Sequence, residues 1–379
     1  MAAAHGDFII YYTGAQILLD GKGRDLYDLN VQKVYQARFN VAFRSHPLPY
    51  NHPPYELLLF APLTLFPYAF AFVIWGFANL VLLVTTIWLL SPLVKAENRI
   101  LCALIWGAFF PVTAALWHGQ DSILSVFLIS SVIVNLKRGR DHVAGMILAL
   151  GLYKPQLVLP IALFLAARGH WASILAFTAT GTCLILISIQ MIGREGAAQY
   201  VSLLHWMNNV RYTIDPAKMV NLRGMFESLM NMGLARGLVD LITLLSSAAI
   251  LFWSISFGKS NAAVDGSTSD LCIAQLVIVT VLVSYHLYVH DLTLLTISLV
   301  ILFNRAAGTG HDLRSVIAAP LVVLIAVSMP VVEILLPKRL LSWAALSLVA
   351  LLFVLSRELR QARSVGEKLS TPPQPFATL

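Results

Sequence analysis

Residues 68–91 read YAFAFVIWGFANLVLLVTTIWLLS. No charged side chain interrupts this run, and it exceeds the ~20 apolar residues a helix needs to cross a bilayer. Similar runs recur at 100–116, 171–192, 236–257, 315–336 and 341–356. Shorter apolar runs lie at 54–66, 122–136, 142–152, 155–166, 271–285 and 291–304. Too short to span alone, they meet at polar residues. Irregular backbone at membrane depth is tolerated only where protein buries it or water reaches it. The short runs therefore predict broken or re-entrant helices around a polar site.

Composition agrees. Of 379 residues, 58% are hydrophobic and 12% charged, with mean hydropathy +0.77; a soluble domain carries about 25% charged residues. The fold class expected is an all-α polytopic membrane protein embedded in a lipid bilayer. The net charge of +7 is not a nucleic-acid footprint, because the basic residues fall mostly in short clusters between apolar runs, where they orient helices. Cys102, Cys183 and Cys272 show neither metal-ligand spacing nor a disulfide framework.

The tight basic clusters are Lys95 to Arg99, Lys137 to Arg140, Arg168, Arg305 to Arg314 and Arg357 to Arg363. Placing them in the cytoplasm puts residues 1–53, "WHGQDS", the loop 193–235 and "SYHLYVHD" outside. The organisation expected is an extracytoplasmic segment 1–53, a transmembrane domain 54–356 with an outer loop at 193–235, and a disordered cytoplasmic tail 357–379. Ionisable groups that interrupt apolar segments then gather on one face, as in an active site or a translocation pathway.

Each motif has a functional and a structural reading. In "GDFIIYY", Asp7 can act as a general base and Tyr11 and Tyr12 can stack on a sugar; Tyr is also common at headgroup level. In "YNHPPYELLLFAPLTLFPY" the prolines break a short run that either re-enters and binds lipid or makes an elbow. In "WHGQDS", His118 and Gln120 can hold a phosphate or hydroxyl, or Gln120 and Asp121 cap the next helix. Trp117 is a further stacking candidate. In "GLYKPQ", Lys154 lies between two apolar half-helices; it binds a lipid phosphate or snorkels. In "NLRGMFESL", Arg223 has a planar fork suited to phosphate, or is a solvated loop charge. In "SYHLYVHDLTLL", His286 and His290 can bind substrate or, at i, i+4, a metal; the lack of further ligands at metal spacing argues against one. Asp291 binds substrate or caps the helix after it.

In their order along residues 7 to about 300, the stretches "DFIIYYTGAQILLDGKGRDLYD", "YNHPPYELLLFAPLTLFPYAFAFVIWGFANL", "GQDSILSVFL", "GLYKPQLVLPIALFLAARGHWASILAF", "NLRGMFESL" and "SYHLYVHDLTLL" resemble glycosyltransferase family 87 of the GT-C superfamily. The resemblance implies a GT-C-like bundle of about 10–12 transmembrane or re-entrant helices in a bacterial plasma membrane. It implies an enzyme that moves a hexose such as mannose from a polyprenyl-phosphate carrier to the hydroxyl of a glycolipid or glycan outside the cytoplasm, with inversion and without a cofactor. The family's catalytic Asp falls on Asp7. Its His and Asp near the end fall on His286 and Asp291, its "KPQ" lysine on Lys154 and its "NLRG" arginine on Arg223. These three cations would hold the donor phosphate, with Tyr11, Tyr12, His118, Gln120, His290 and Asp291 lining the substrate site. Family members carry one more helix ahead of the Asp-bearing loop, so Met1 is expected to be an internal start. The rival class is a transporter or flippase, which broken helices suit equally well, although no repeated half is visible.

Overall fold

A computed structural model describes residues 6–210, 216–256, 266–308 and 342–370; the run at 315–336 lies outside them. All regular structure among the described residues is helical. Helices α1 (Phe8–Leu19), α2 (Leu29–Gln36) and the turn α3 (Leu57–Phe60) precede α4 (Tyr68–Leu90). Then come α5 (Arg99–Ala108), α6 (Phe110–His118), α7 (Ser122–Lys137), α8 (Asp141–Leu150), α9 (Pro155–Ala167) and α10 (Trp171–Val210). The chain continues through α11 (Leu222–Glu227), α12 (Arg236–Ser256), α13 (Gly266–Val283), α14 (Leu295–Gly308) and α15 (Ala345–Ser370).

Four helices among the described residues are long and apolar enough to cross a membrane, or five if the pair α5–α6 is one span. Their surfaces show what surrounds them. In α4, α10 and α12 only 22%, 17% and 11% of the most apolar window is buried, and Phe70, Val73, Phe77, Val84 and Trp88 of α4 are exposed. An apolar face this large has no place in water and is solvated by lipid. The protein is a polytopic membrane protein.

Four stretches differ from the sequence-based expectation. The run 100–116 is not one span. Phe109 is extended at φ −77°, ψ 107°, and Pro111 has no N–H for the carbonyl of Gly107, so α5 and α6 meet at 50°. The segment expected as loop from 193 is helical to Val210; the chain bends at Gly193, whose φ of 69° an L side chain rarely adopts. The opening segment is not a loop throughout: Phe8, Ile9, Tyr11, Ala15 and Ile17 of α1 are fully buried. A helix apolar on all sides must be enclosed, and an aromatic cluster of Tyr27, Tyr35, Tyr50, Phe60, Tyr68 and Trp75 encloses this one. The last helix runs on to Ser370, into the segment expected as a tail.

The short helices set the depth of the site. Helix α7 has 16 residues and α9 has 13, or about 24 and 20 Å, against a hydrocarbon core of ~30 Å. The start of α7, the end of α8 and the start of α9 come together, Ser122 of α7 bonding Lys154 between the other two. The opposite end of α7 carries Lys137, which pairs with Asp270 of α13. Helix α8 packs between α7 and α10, α4 against α7, and α13 against α9, α14 and α15.

Candidate active site

A cavity of about 470 Å³ opens where these short helices meet. Asp7, Tyr11, Gln120, Lys154, His286, His290 and Asp291 all line it, together with His52, Tyr153, Tyr200, Tyr285 and Asn208. Asp7 is the residue before α1, and its side chain does not cap the helix. It accepts instead from Gln120 Nε2, while Gln120 Oε1 accepts from Tyr11 O–H at 3.1 Å. Asp7 and Tyr11 are four residues apart and share a helix face, so one glutamine bridges both. Tyr11 is itself fixed by stacking on Phe60, centroids 4.6 Å apart.

Gln120 owes its place to the turn before it. Gly119 ends α6 with φ +63°, and a Cβ there would lie 2.7 Å from Phe8 Cβ and 2.9 Å from the Phe72 ring. Only glycine lets α1, α4 and the turn close this tightly. The next residue, Asp121, makes no cap bond to α7. It is fully buried and turns inward.

Lys154 stands between the turn ending at Tyr153 and Pro155, the first residue of α9. Its ammonium lies 2.5 Å from Asp121 Oδ1 and donates to Asp291 Oδ1 at 2.6 Å and Ser122 Oγ at 3.0 Å. Ser122 O–H in turn donates to Asp291 Oδ1 at 2.9 Å. The ammonium thus gives two hydrogen bonds, and its contact with Asp121 is an ion pair. Asp291 Oδ2 accepts from Tyr288 N–H at 3.2 Å, so Asp291 lies inside the turn Val289–Leu294 and closes back on the residue that opens it instead of capping a helix after it.

His52 carries a second pair of carboxylates. Its Nδ1 lies 2.8 Å from Glu56 Oε2 and 3.4 Å from Asp121 Oδ2. Glu56 Oε2 also accepts from Tyr50 O–H at 3.3 Å. Burial pulls the His52 pKa down, but Glu56 and then Asp121 pull it up further, leaving it above the usual imidazole value. His286 behaves oppositely: burial outweighs the nearby Asp291 and pushes it down to about 4. The ligand atoms of His52, Glu56 and Asp121 lie within 4.8 Å of one another, close enough to converge on a cation. Lys154 already balances Asp121 there, and a proton between His52 and Glu56 accounts for their 2.8 Å separation; no metal ligand is assigned.

Several expected residues lie elsewhere. Arg223 is buried behind the wall: Nε donates to Glu227 at 2.8 Å, one terminal N–H to the Tyr285 carbonyl at 3.0 Å and the other to Asn208 at 3.4 Å. Its guanidinium stacks on Tyr285 at 3.9 Å, so it braces two cavity residues. Tyr12 donates to the Phe66 carbonyl at 2.8 Å, away from the cavity. His118 does not line the cavity, and Trp117 is exposed. The chain is not helical at 284–288, so the i, i+4 spacing of His286 and His290 does not place their rings on one helix face.

The family model for glycosyltransferase family 87 matches residues 50–284, more than half of the chain. The chain belongs to glycosyltransferase family 87. The family 87 match takes in His52, Glu56, Gln120, Asp121, Lys154 and Arg223; Asp7, His286, His290 and Asp291 lie beyond its limits. A relative from Mycolicibacterium smegmatis, the polyprenol-phosphate-mannose-dependent alpha-(1-2)-phosphatidylinositol pentamannoside mannosyltransferase, is 26% identical over 199 residues. The match covers 51% of this chain and 45% of the relative, so the chain spans about half the length of the curated relative it matches. No solved structure matches the chain.

Proposed function

We propose that this family 87 member transfers a hexose, mannose by its likeness to the mycobacterial relative, from a polyprenyl-phosphate carrier to an acceptor hydroxyl with inversion. One observation carries the reading: a single cavity is lined by the carboxylate of Asp7 and by the cluster around Lys154, His286 and His290. Its volume of about 470 Å³ lies within the roughly 300–1,000 Å³ of small-molecule sites. Asp7 takes the proton of the acceptor hydroxyl, whose oxygen attacks the anomeric carbon while the bond to the phosphate breaks. Gln120 holds the carboxylate in place, as a base must be held. The polar wall stabilises the departing anion, in most such sites the largest contribution. Lys154 neutralises Asp121 and Asp291 in that wall, and Arg223 braces Tyr285 and Asn208. The likeness to the relative also suggests a phosphatidylinositol mannoside acceptor.

The cavity is proposed to face the outside of a bacterial plasma membrane. Supporting this, α7 starts with Ser122, bonded to Lys154 of the cavity wall, and has Lys137 and Arg138 at its far end, and Arg168 follows α9 at the end away from Lys154. Basic ends are cytoplasmic.

Membranes carrying the protein, incubated with radiolabelled polyprenyl-phosphate mannose, are expected to label an extractable glycolipid. Sugar that crosses the membrane without being transferred would place the chain among transporters instead.

A further inference from the structure

We infer that His52 is a further catalytic group, an imidazolium that gives its Nε2 proton to the lipid phosphate as the sugar leaves; this rests on the transfer reading above. The cavity wall offers few free cations. Lys154 hydrogen-bonds Asp291 and Ser122 and is ion-paired with Asp121. Arg223 is committed behind the wall, and burial lowers the pKa of both His286 and His290. His52 differs. Its Nδ1 faces Glu56 at 2.8 Å and Asp121 at 3.4 Å. Among the described residues its other nitrogen makes no hydrogen bond, and the ring lines the cavity. The two nitrogens point from different edges of the ring, so with Nδ1 held by the carboxylates Nε2 is left for a ligand.

The surroundings keep the proton on. Glu56 and Asp121 face the ring from two segments; Lys154 opposes them more weakly. Tyr11, Tyr50 and Tyr153 complete the shell at 5.7, 5.9 and 6.2 Å between centroids. Asp121 and Asp291 are buried beside the single ammonium of Lys154, and burial pushes Glu56 up to about 7 against the pull of His52, so the His52–Glu56 pair holds a proton there.

The chemistry calls for an acid. A sugar joined to a lipid phosphate is a diester with one negative charge. When the anomeric C–O bond breaks, its electron pair leaves with the phosphate, whose second pKa is near 6. The acceptor proton goes to Asp7, the new bond forms from the acceptor oxygen to the anomeric carbon, and the His52 proton passes to the phosphate. Asp7 then loses a proton to water and His52 regains one.

The test is the pH dependence of kcat with polyprenyl-phosphate mannose, for wild type, His52→Gln and Glu56→Gln in detergent. Wild type is expected to lose activity at high pH as His52 deprotonates. His52→Gln is expected to lower kcat by about 10²–10⁴-fold, without that alkaline limb and with KM for the donor little changed. Glu56→Gln is expected to move the limb to lower pH, a shift a purely structural role would not produce, and it serves if His52→Gln does not fold. An unchanged kcat in His52→Gln, or a lowered kcat that keeps the limb, overturns the inference. So does manganese bound one per chain by wild type and lost from His52→Gln, which would make His52 a ligand. Absence of transfer by wild type defeats the transfer reading instead.

Discussion

Lys154 hydrogen-bonds Asp291 and Ser122 and pairs with Asp121, partners that its place between half-helices did not name. Removing it leaves Asp121 and Asp291 buried without their cation. Lys154→Ala is therefore expected to cost about 3–5 kcal/mol, read as a lowered thermal midpoint in detergent and partly recovered by adding Asp291→Asn. Weakened donor binding at unchanged stability would make the ammonium a ligand of substrate rather than a tie. Asp7→Asn keeps the bond from Gln120 nearly isosteric but removes the base; transfer should fall by at least about 10²–10⁴-fold with the thermal midpoint unmoved. Retained activity would hand the base to another carboxylate. Stability should also follow two histidines. The His52 pKa is raised on folding, so its contribution is whole below the unfolded value near 6.5 and is lost as pH rises through the raised value. The His286 pKa is lowered to about 4, so its contribution is present above 6.5 and is lost as pH falls toward 4, by on the order of 1–3 kcal/mol. A thermal midpoint that peaks between these limbs, with the alkaline one absent in His52→Gln, is the expected profile.

The turn between α6 and α7 is where local geometry decides the chemistry. Gly119 sits against Phe8 and Phe72 and hands the chain to Gln120 and Asp121, which serve the two halves of the site. Gly119→Ala adds a Cβ into that contact at a positive φ; about 1–2 kcal/mol of stability should be lost. The larger effect should be on kcat, because Gln120 would move off Asp7. Parallel thermal melts and kcat values check both; a variant unchanged in each would mean the turn relaxes freely. The short helices α7 and α9 matter for a related reason. They are shorter than the ~30 Å hydrocarbon core, and Lys154, Asp121 and Asp291 at their meeting point are buried in protein, where the dielectric is low and pairing is enforced.

For the whole molecule, the alternation of basic and polar ends makes an orientation experiment direct. In a Cys183→Ser background, Asn51→Cys at the cavity is expected to react with a membrane-impermeant maleimide from outside, and Arg140→Cys only after permeabilisation. The reverse pattern would invert the molecule. The exposed apolar faces of α4, α10 and α12 make folding depend on lipid or detergent, so transfer should be lost on delipidation and return with added lipid.

Much of this was open to inspection in the chain itself. Residues 68–91 announce a span because an uncharged apolar run of that length is stable in lipid, and the short runs around Lys154 announce broken helices for the same reason. That Asp7, Lys154, His286, His290 and Asp291 share a face followed from ionisable residues interrupting apolar segments, while Tyr11 and Gln120 joined them through their motifs and the family resemblance. The pairings did not follow. His52, Glu56 and Asp121 come from two segments, and the i, i+4 spacing of His52 and Glu56 means little where paired prolines preclude a regular helix. Arg223 and Tyr12 carry the right chemistry but find partners outside the cavity, and nothing local to either residue says so. Composition and hydropathy act along the chain, and they determined the membrane class and the kinds of residue at the site. Which carboxylate meets Lys154, and which imidazole keeps a nitrogen for a ligand, depends on distances between segments far apart in sequence, and only the packing of the helices sets those.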